Sequence, residues 1–456
     1  MQNKRLELRR LARDSIYNLI RQGWAIFIGL VVSILLARGL GKENWGILTI
    51  TLLLPQLLIT LLNMGIGPAT IYYVSRGQWS PQRALGGNLA LALWISVVSI
   101  IIGMGLTFLG GDFFFPQIPK SLLAISLINI PISILVAYLN TIYHGLQDFR
   151  TFNLIGMTSQ LLLLILVILL VWIFHEGVYG ALYAYIGSNL GGLIVLVVLL
   201  TKKMGLVFKP NFRLDSVHLN QAFQYGIKAY LANFITFLNY RLDNLLLNNF
   251  AGTSQVGIYS VAVGIGEKLW IPSSAVSAVI LPRIASQDYD EERRRQLTPM
   301  TARYVTWLSL LMVIVLWPIA GWLITLLYSP EFQEAAFSLR LILPGIVLLN
   351  TVRVLANDIA GRGLPEINLL QSAIALAVNI IANLILIPLF AARGAALAST
   401  ISYSVLAILT LRVYCRLAKV SWLSIYLPNR TDLAYLLKVW GIALKRLRSL
   451  IKLSDV

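Results

Sequence analysis

The sequence is poor in charged residues, which make up 12% of its 456 positions, against roughly 25% in a typical soluble domain. It has one cysteine, Cys415, so an intramolecular disulfide is excluded. Its three histidines, His144, His175 and His218, lack the spacing of a metal site. It also lacks a phosphate loop, an HExxH motif, a nucleophile elbow and a dinucleotide-binding fingerprint. We therefore expect no enzyme, no ATP-driven pump, no cofactor and no metal.

Hydrophobic residues are abundant at 58%, and they form long runs. A helix of about 20 mostly apolar residues crosses a bilayer. Open strands would leave backbone N–H and C=O groups without hydrogen-bond partners in lipid, so these runs are expected to be helices. The sequence predicts an all-α membrane protein of twelve transmembrane helices. The predicted spans are Ser15–Arg38, Trp45–Gly65, Leu85–Leu109, Ser121–Leu146, Phe152–Phe174, Val178–Leu200, Tyr225–Phe250, Val256–Leu281, Thr301–Tyr328, Ala335–Gly361, Leu364–Phe390 and Gly394–Leu411.

The net charge of +18 would suggest a nucleic-acid partner in a soluble protein. Here most of the 37 Lys and Arg residues lie in alternate connections between the spans. If the N-terminus is inside, the outer loops hold only Lys42, Lys120 and Arg393. Positive charge marks the cytoplasmic side, so we expect both termini in the cytoplasm and no nucleic acid as a partner.

An internal repeat divides the spans into two sets of six. The segment from Ile34 to Ile47 aligns with the segment from Leu245 to Ile258, an offset of 211 residues. A second pair, Gly180 and Gly394, has an offset of 214. Chance similarity within apolar sequence is the alternative, but two pairs at nearly one offset favour a repeat. Six is even, so both halves enter from the same side, as in a parallel repeat.

The repeat predicts two six-helix bundles, residues 1–200 and 225–416. The polar stretch 201–224 is interpreted as a cytoplasmic linker rather than a merely long loop. The basic tail 417–456 contains Thr431–Lys452, which is interpreted as an amphipathic helix on an anionic membrane surface. Its apolar residues are Leu433, Leu437, Trp440, Leu444, Leu447 and Ile451, and five Lys or Arg residues accompany them. A thirteenth transmembrane helix is the alternative for this segment.

Ionisable residues inside the spans are the candidates for function, because each costs roughly 2.5–3.5 kcal/mol on insertion scales. The candidates for substrate binding are Arg21, Arg241, Lys268 and Arg353. The candidates for ion coupling are Asp243, Glu267 and Asp358. Most of these residues lie in the second half. Arg21 is near the inner edge, and snorkelling of its long side chain to the interface is the alternative for it.

Arg241 and Asp243 are two positions apart and therefore do not face each other on a helix. Each needs another partner. One alternative is a structural pair between Asp243 or Glu267 and a basic group on another helix; the other exposes Arg241 to an aqueous cavity. Arg353 shares a predicted polar face with Asn350 and Asn357. Arginine suits a phosphate because its planar fork binds two oxygens.

The chain resembles the Wzx-type polysaccharide and oligosaccharide flippases, which share a superfamily with multidrug and toxin extruders and with the peptidoglycan-precursor flippase. The segments that carry the resemblance are Trp45–Ile47, Gly65–Thr70, Arg241–Asp243, Val256–Ala262, Glu267–Trp270 and Leu281–Arg283. The resemblance implies two bundles in a V around a central cavity, with alternating access. Arg241 matches the basic position of the seventh-helix pattern; Arg21, Lys268 and Arg353 are proposed from their depth alone.

The resemblance also implies a substrate and a location. The substrate would be an oligosaccharide linked to undecaprenyl diphosphate, moved from the inner to the outer leaflet of the bacterial inner membrane. A polysaccharide polymerase and export machinery are implied partners, membrane lipids surround the chain, and we expect a monomer. The hypothesis is that the cavity arginines hold the diphosphate while the bundles rock.

Other functions fit the sequence less well. A cation-coupled multidrug antiporter of the same fold would require an acidic cavity, whereas Arg and Lys predominate among the intramembrane charges. A membrane glycosyltransferase or polymerase would be expected to carry a large outer loop, and the predicted outer loops are short. The peptidoglycan-precursor flippases would be expected to add two further helices.

Overall fold

The computed structural model describes most of the chain. The described residues are 2–63, 65–205, 216–271, 273–274 and 291–428, without the side chains of 2–22, 203, 216–229 and 293. Outside the described residues lie the predicted tail helix Thr431–Lys452, residues 206–215 of the predicted linker, and the motif Leu281–Arg283 with the end of the eighth predicted span.

Within the described residues the secondary structure is helical, without strands, which confirms the all-α prediction. The helices are α1 (Gln2–Leu62), α2 (Ile66–Ser75), α3 (Pro81–Phe108), α4 (Gly111–Phe114), α5 (Lys120–Ser126), α6 (Asn129–Gly145), α7 (Phe149–Val167), α8 (Gly177–Met204), α9 (Ser216–Ala251), α10 (Thr253–Gly266), α11 (Glu291–Tyr328), α12 (Ala335–Gly361), α13 (Pro365–Ala418) and α14 (Leu423–Tyr426). A π-helical turn, Ile168–Ile173, continues α7, and a 3-10 turn, Glu267–Trp270, continues α10.

Among the described residues, eight helical stretches are long and apolar enough to cross a membrane. Two of them contain a break, at Gly41 in α1 and at Ala391 in α13, and each therefore provides two spans. The seventh and eighth predicted spans correspond to α9 and α10, which carry the deep charges. The protein is a multi-pass membrane protein whose described helices match the predicted order of spans.

The repeat is visible in the backbone. Gly41 has φ 73° and ψ 172°, and Gly252 has φ 83° and ψ 173°. This conformation suits glycine, which has no Cβ to clash at positive φ. Each glycine separates one long helix from the next at an equivalent place in its half. We call the end of the molecule that carries Gly41, Gly252 and Ala391 the kink end, and the opposite end the linker end.

The two halves pack closely at the kink end, where α1 crosses α10. A Cβ on Gly46 would lie 1.8 Å from the carbonyl oxygen of Thr253, and a Cβ on Gly257 would lie 1.9 Å from that of Lys42. The offset of 211 relates Gly46 to Gly257 and Lys42 to Thr253. The crossing therefore lies on the pseudo-twofold axis. Small residues at such crossings let helix backbones touch.

A second kink-end contact joins α1 to the C-terminal end of α11. The Arg38 guanidinium donates to the carbonyls of Leu326 and Leu327, with Nε 2.8 Å from the Leu327 oxygen. The hydroxyls of Ser33 and Tyr328 are 2.9 Å apart. A cation near the last carbonyls of a helix is favourable because the helix dipole is negative there. These contacts hold the two halves together at the kink end.

Candidate functional site

A cavity of about 230 Å³ lies where α9 and α10 meet the part of α1 that follows Gly41. We call it the central cavity. Gln56 and Glu267 both line it, and the repeat offset of 211 relates them. The cavity is therefore on the pseudo-twofold axis, between the halves. Its polar lining residues are Thr49, Gln56, Arg241, Asn244, Ser260 and Glu267.

The charged pair of the central cavity is Arg241 on α9 and Glu267 at the start of the 3-10 turn. Nη1 of Arg241 is 2.9 Å from Oε1 of Glu267, and Nη2 is 3.5 Å from Oε2. The two side chains remain 29% and 20% exposed. Arginine has five N–H donors in a planar fork. Glu267 accepts from only two of the nitrogens, so Arg241 can bind a second acceptor without leaving its partner.

Asp243, two residues further along α9, has a different environment. It is buried, and its Oδ2 accepts from the hydroxyls of Tyr259 and Ser399, the latter at 3.2 Å. Its Oδ1 accepts from the backbone N–H of Asn244 at 2.9 Å. These bonds tie α9 to α10 and to α13. Asp243 therefore lies in a packed interface between helices, and Arg241 faces the central cavity.

Arg353 on α12 lies in an aromatic setting. Its Cζ is 4.0 Å from the ring centroid of Trp270, and its Nη2 is 3.4 Å from the Tyr240 hydroxyl. Among the carboxylates that the structure describes, none forms an ion pair with it. A guanidinium over an aromatic face is stabilised by the ring quadrupole. Its charge nevertheless stays unneutralised, as an anion-binding residue requires.

Lys268 follows Glu267 in the 3-10 turn and is half-buried. It forms no ion pair with a carboxylate in the described part of the chain. The ring of Trp270 in the same turn contacts that of Tyr240 at a tilt of 38°, with ring centroids 5.0 Å apart. The turn thus links the surroundings of Arg241 to those of Arg353. Arg21 lies on α1, but its side chain is outside the described residues.

Asp358 is set apart from this group, towards the linker end of α12. It is fully buried, and Nε of Arg362 donates to its Oδ1 at 2.9 Å. Nη1 of Arg362 also donates to Glu291 on α11 at 2.7 Å. The three residues form an ion-pair cluster that fastens α12 to α11.

The Arg362→Ala substitution should destabilise the protein, because it leaves the Asp358 carboxylate buried without its cation. Removing one partner of a buried pair costs about 3–5 kcal/mol. Thermal or denaturant unfolding in detergent measures the effect. Arg295→Ala is the control, because its 3.7 Å contact with Glu291 is partly exposed and should contribute under about 1 kcal/mol. The double variant Arg362→Ala/Asp358→Asn should recover most of the loss; no recovery would contradict this role of the pair.

Several lining residues were not identified from the sequence. Gln56, Asn244 and Ser260 carry no charge, so the cost of burial did not mark them. The repeat held the signal for Gln56, because an offset of 211 from Glu267 leads to it. Asn244 follows from helical geometry, since it is three residues from Arg241 and shares its face.

Comparisons with known proteins identify a family model and several relatives. A family model described as "Polysaccharide biosynthesis protein" matches residues 35–337. An uncharacterized membrane protein of Methanocaldococcus jannaschii is 24% identical over 86% of this chain and 95% of its own length. A succinoglycan biosynthesis transport protein of Rhizobium meliloti is 24% identical over 66% of this chain and 59% of its own length. A probable low-salt glycan biosynthesis flippase of Haloferax volcanii is 26% identical over 49% of this chain and 47% of its own length.

Solved structures share the fold. The lipid II flippase MurJ in an inward closed conformation has a TM-score of 0.74 at 15% identity, covering 96% of this chain and 99% of that one. An inward-facing multidrug resistance MATE transporter has a TM-score of 0.70 at 15% identity, covering 87% and 94%. The fold is therefore the V-shaped one of two pseudo-symmetric six-helix bundles, as predicted.

Proposed function

We propose that this chain is a flippase, since it belongs to the polysaccharide biosynthesis protein family, whose model matches residues 35–337. It moves an oligosaccharide linked to a polyprenyl diphosphate, undecaprenyl diphosphate in a bacterium, from the inner to the outer leaflet. The family membership agrees with the resemblance carried by the motifs around Trp45 and Arg241. The names of the Rhizobium and Haloferax relatives, a transport protein and a probable flippase of glycan biosynthesis, support this role.

The observation that carries the proposal is the charge around the central cavity. Arg241 and Glu267 line it as a pair, and Arg353 and Lys268 add two half-buried cations without a described carboxylate partner. Three cations against two carboxylates, Glu267 and the buried Asp243, leave an excess of one positive charge at low dielectric. Such a site is suited to a diphosphate, because guanidinium groups bind phosphate oxygens in pairs.

The mechanism follows from this arrangement. The diphosphate binds the free donors of Arg241 and weakens its pairing with Glu267, while the amides of Gln56 and Asn244 can hydrogen-bond the sugar. The two halves then rock, and the kink-end contact at Gly46 opens towards the outer leaflet. Glu267 is the candidate for ion coupling that faces the cavity, whereas Asp243 is held by hydroxyls and Asp358 by Arg362.

The proposal extends to the setting of the chain. The protein lies in the bacterial plasma membrane, with the linker end and both termini in the cytoplasm and the kink end outside. Residues 1–200 and 225–416 are the two bundles, and the linker 201–224 and the basic tail 417–456 lie at the inner surface. The distribution of Lys and Arg supports this orientation.

Reconstitution tests the function. The purified protein in liposomes should carry a fluorescent oligosaccharide on undecaprenyl diphosphate across the bilayer, measured by access of a membrane-impermeant quencher. Arg353→Ala should slow the transfer at least about tenfold, since a charge-assisted hydrogen bond contributes about 1.5–3 kcal/mol. Arg340→Ala on the same helix is the control, because Arg340 donates to the Trp317 carbonyl instead. No transfer by the wild type, with efflux of cationic dyes along an ion gradient, would favour the antiporter alternative.

A further inference from the structure

A second, larger cavity of about 710 Å³ opens on the side of the molecule between the two halves. We call it the lateral crevice. Its walls are α9, the part of α1 after Gly41 and the segment that joins α3 to α5. Its lining is almost entirely apolar and includes Leu54, Leu57, Leu242, Leu246, Phe114 and Phe250. It therefore offers an elongated apolar chain a concave surface rather than a flat helix face.

The lateral crevice and the central cavity lie back to back. Leu53 lines both of them. On α9, Arg241 and Asn244 line the central cavity, while Leu242 and Leu245 line the crevice. Because neighbouring helix positions point about 100° apart, one helix supplies a polar wall to one compartment and an apolar wall to the other. A charged chamber and an apolar chamber thus share walls at Leu53 and along α9.

Exposed aromatic side chains at the mouth of the crevice are typical of a surface at the membrane interface. Phe113 and Phe250 are 77% and 50% exposed at its edge. The polar lining is limited to Asp112 and Asn249, and Asp112 pairs with the exposed Lys120 at 2.9 Å. Such a polar rim marks the membrane interface near the kink end, and the apolar lining extends from it towards the bilayer core.

We propose that the lateral crevice holds the isoprenoid chain of the lipid carrier while the diphosphate and sugars occupy the central cavity. This inference rests on the proposed function, since it concerns the other end of the same substrate. A diphosphate is bonded directly to the first isoprene unit, so the chain must lie next to wherever the headgroup binds. The shared Leu53 wall provides that adjacency. Lipid tails are as apolar as the chain, so the crevice acts by shape and packing rather than by hydrophobic transfer.

Filling the crevice tests the inference. Leu246→Trp and Leu57→Trp should each slow transfer of an undecaprenyl-linked oligosaccharide at least about tenfold, because the long chain can no longer follow its headgroup. Transfer of the same oligosaccharide on a ten-carbon geranyl diphosphate should change less than about twofold. Leu311→Trp is the matched control, since Leu311 is 58% exposed on α11 and lies outside the crevice lining. Equal losses for both chain lengths, or no loss for either, would overturn the assignment.

A labelling experiment on the unmodified protein gives an independent result if a tryptophan variant does not fold. A polyprenyl diphosphate with a benzophenone on its chain should label the crevice segments of α1 and α9 when irradiated. Labelling confined to α11, or equal labelling of the crevice by a benzophenone-bearing phosphatidylglycerol, would show that ordinary lipid fills it. These outcomes are separate from failure of the proposed function, in which the wild type moves neither the long-chain nor the short-chain oligosaccharide.

Discussion

The Arg241→Ala variant is expected to insert and purify normally but to lose lipid-linked oligosaccharide transfer by about a hundredfold or more. Two effects act together. The variant removes the cavity guanidinium, and it leaves the Glu267 carboxylate, 2.9 Å away in the wild type, without a partner and facing an anionic headgroup. A lost charge-assisted bond costs about 1.5–3 kcal/mol, and repulsion from the freed carboxylate adds to it. Transfer rates in proteoliposomes measure the loss.

Companion variants separate anion binding from simple structural pairing. Arg241→Ala/Glu267→Gln removes the repulsion and should recover part of the rate, whereas Arg241→Leu/Glu267→Leu keeps an apolar contact and should stay inactive. Arg241→Lys keeps the charge but loses the fork, so an intermediate rate is expected. Normal transfer by the double leucine variant would mean that the pair only holds α9 to the 3-10 turn. Size-exclusion profiles serve as the folding control.

The second large effect is expected at the helix crossing of the kink end. Gly46→Ala should reduce transfer about a hundredfold, because the new methyl group would lie 1.8 Å from the carbonyl oxygen of Thr253. A backbone atom cannot move aside as a flexible side chain does, and overpacking typically costs 1–3 kcal/mol or more. The added methyl group destabilises the conformation in which the kink end is closed, so the conformational equilibrium shifts towards states in which the kink end is open. Gly257→Ala should behave in the same way.

Accessibility at the kink end provides the direct measurement. In a Cys415→Ser background, a cysteine at Thr49 in the central cavity should react faster with a membrane-impermeant thiol reagent from the outer side when Gly46 is alanine. Gly86→Ala and Gly105→Ala on α3 are matched controls, because a Cβ at either position meets nothing within 4 Å. Native transfer and unchanged reactivity in Gly46→Ala would exclude this crossing as a moving contact.

The two halves share a fold but contribute unequally to the site. The position equivalent to Arg241 in the first half is Leu30, and the position equivalent to Glu267 is Gln56, by the offset of 211 residues. The charges of the central cavity therefore come from the second half, while the first half supplies neutral polar groups. A pseudo-symmetric frame with an asymmetric charge suits a substrate that enters from one leaflet and leaves into the other.

The candidate residues were predicted to different extents. Burial of a charge in lipid is costly wherever it occurs, so the sequence alone marked Arg241, Glu267 and Arg353 as exceptional. It left open which of them meet. The structure pairs Arg241 with Glu267, 26 residues away, and joins Asp243 to Ser399, 156 residues away. The neutral residue Gln56 escaped the sequence argument because an amide carries no comparable penalty.

By itself the sequence determined the transmembrane helices, their order and the repeat. Lipid forces each spanning segment to satisfy its own backbone hydrogen bonds, so length and apolarity identify most of the spans. Only the tertiary structure decided which helix faces meet, and with them the central cavity, the lateral crevice and the contact between Gly46 and Gly257. An apolar helix face gains little free energy by moving from lipid into a contact with another helix. Helix pairing therefore depends on close packing and on a few polar contacts between residues far apart in sequence, and the pattern of residues along the chain does not reveal these contacts.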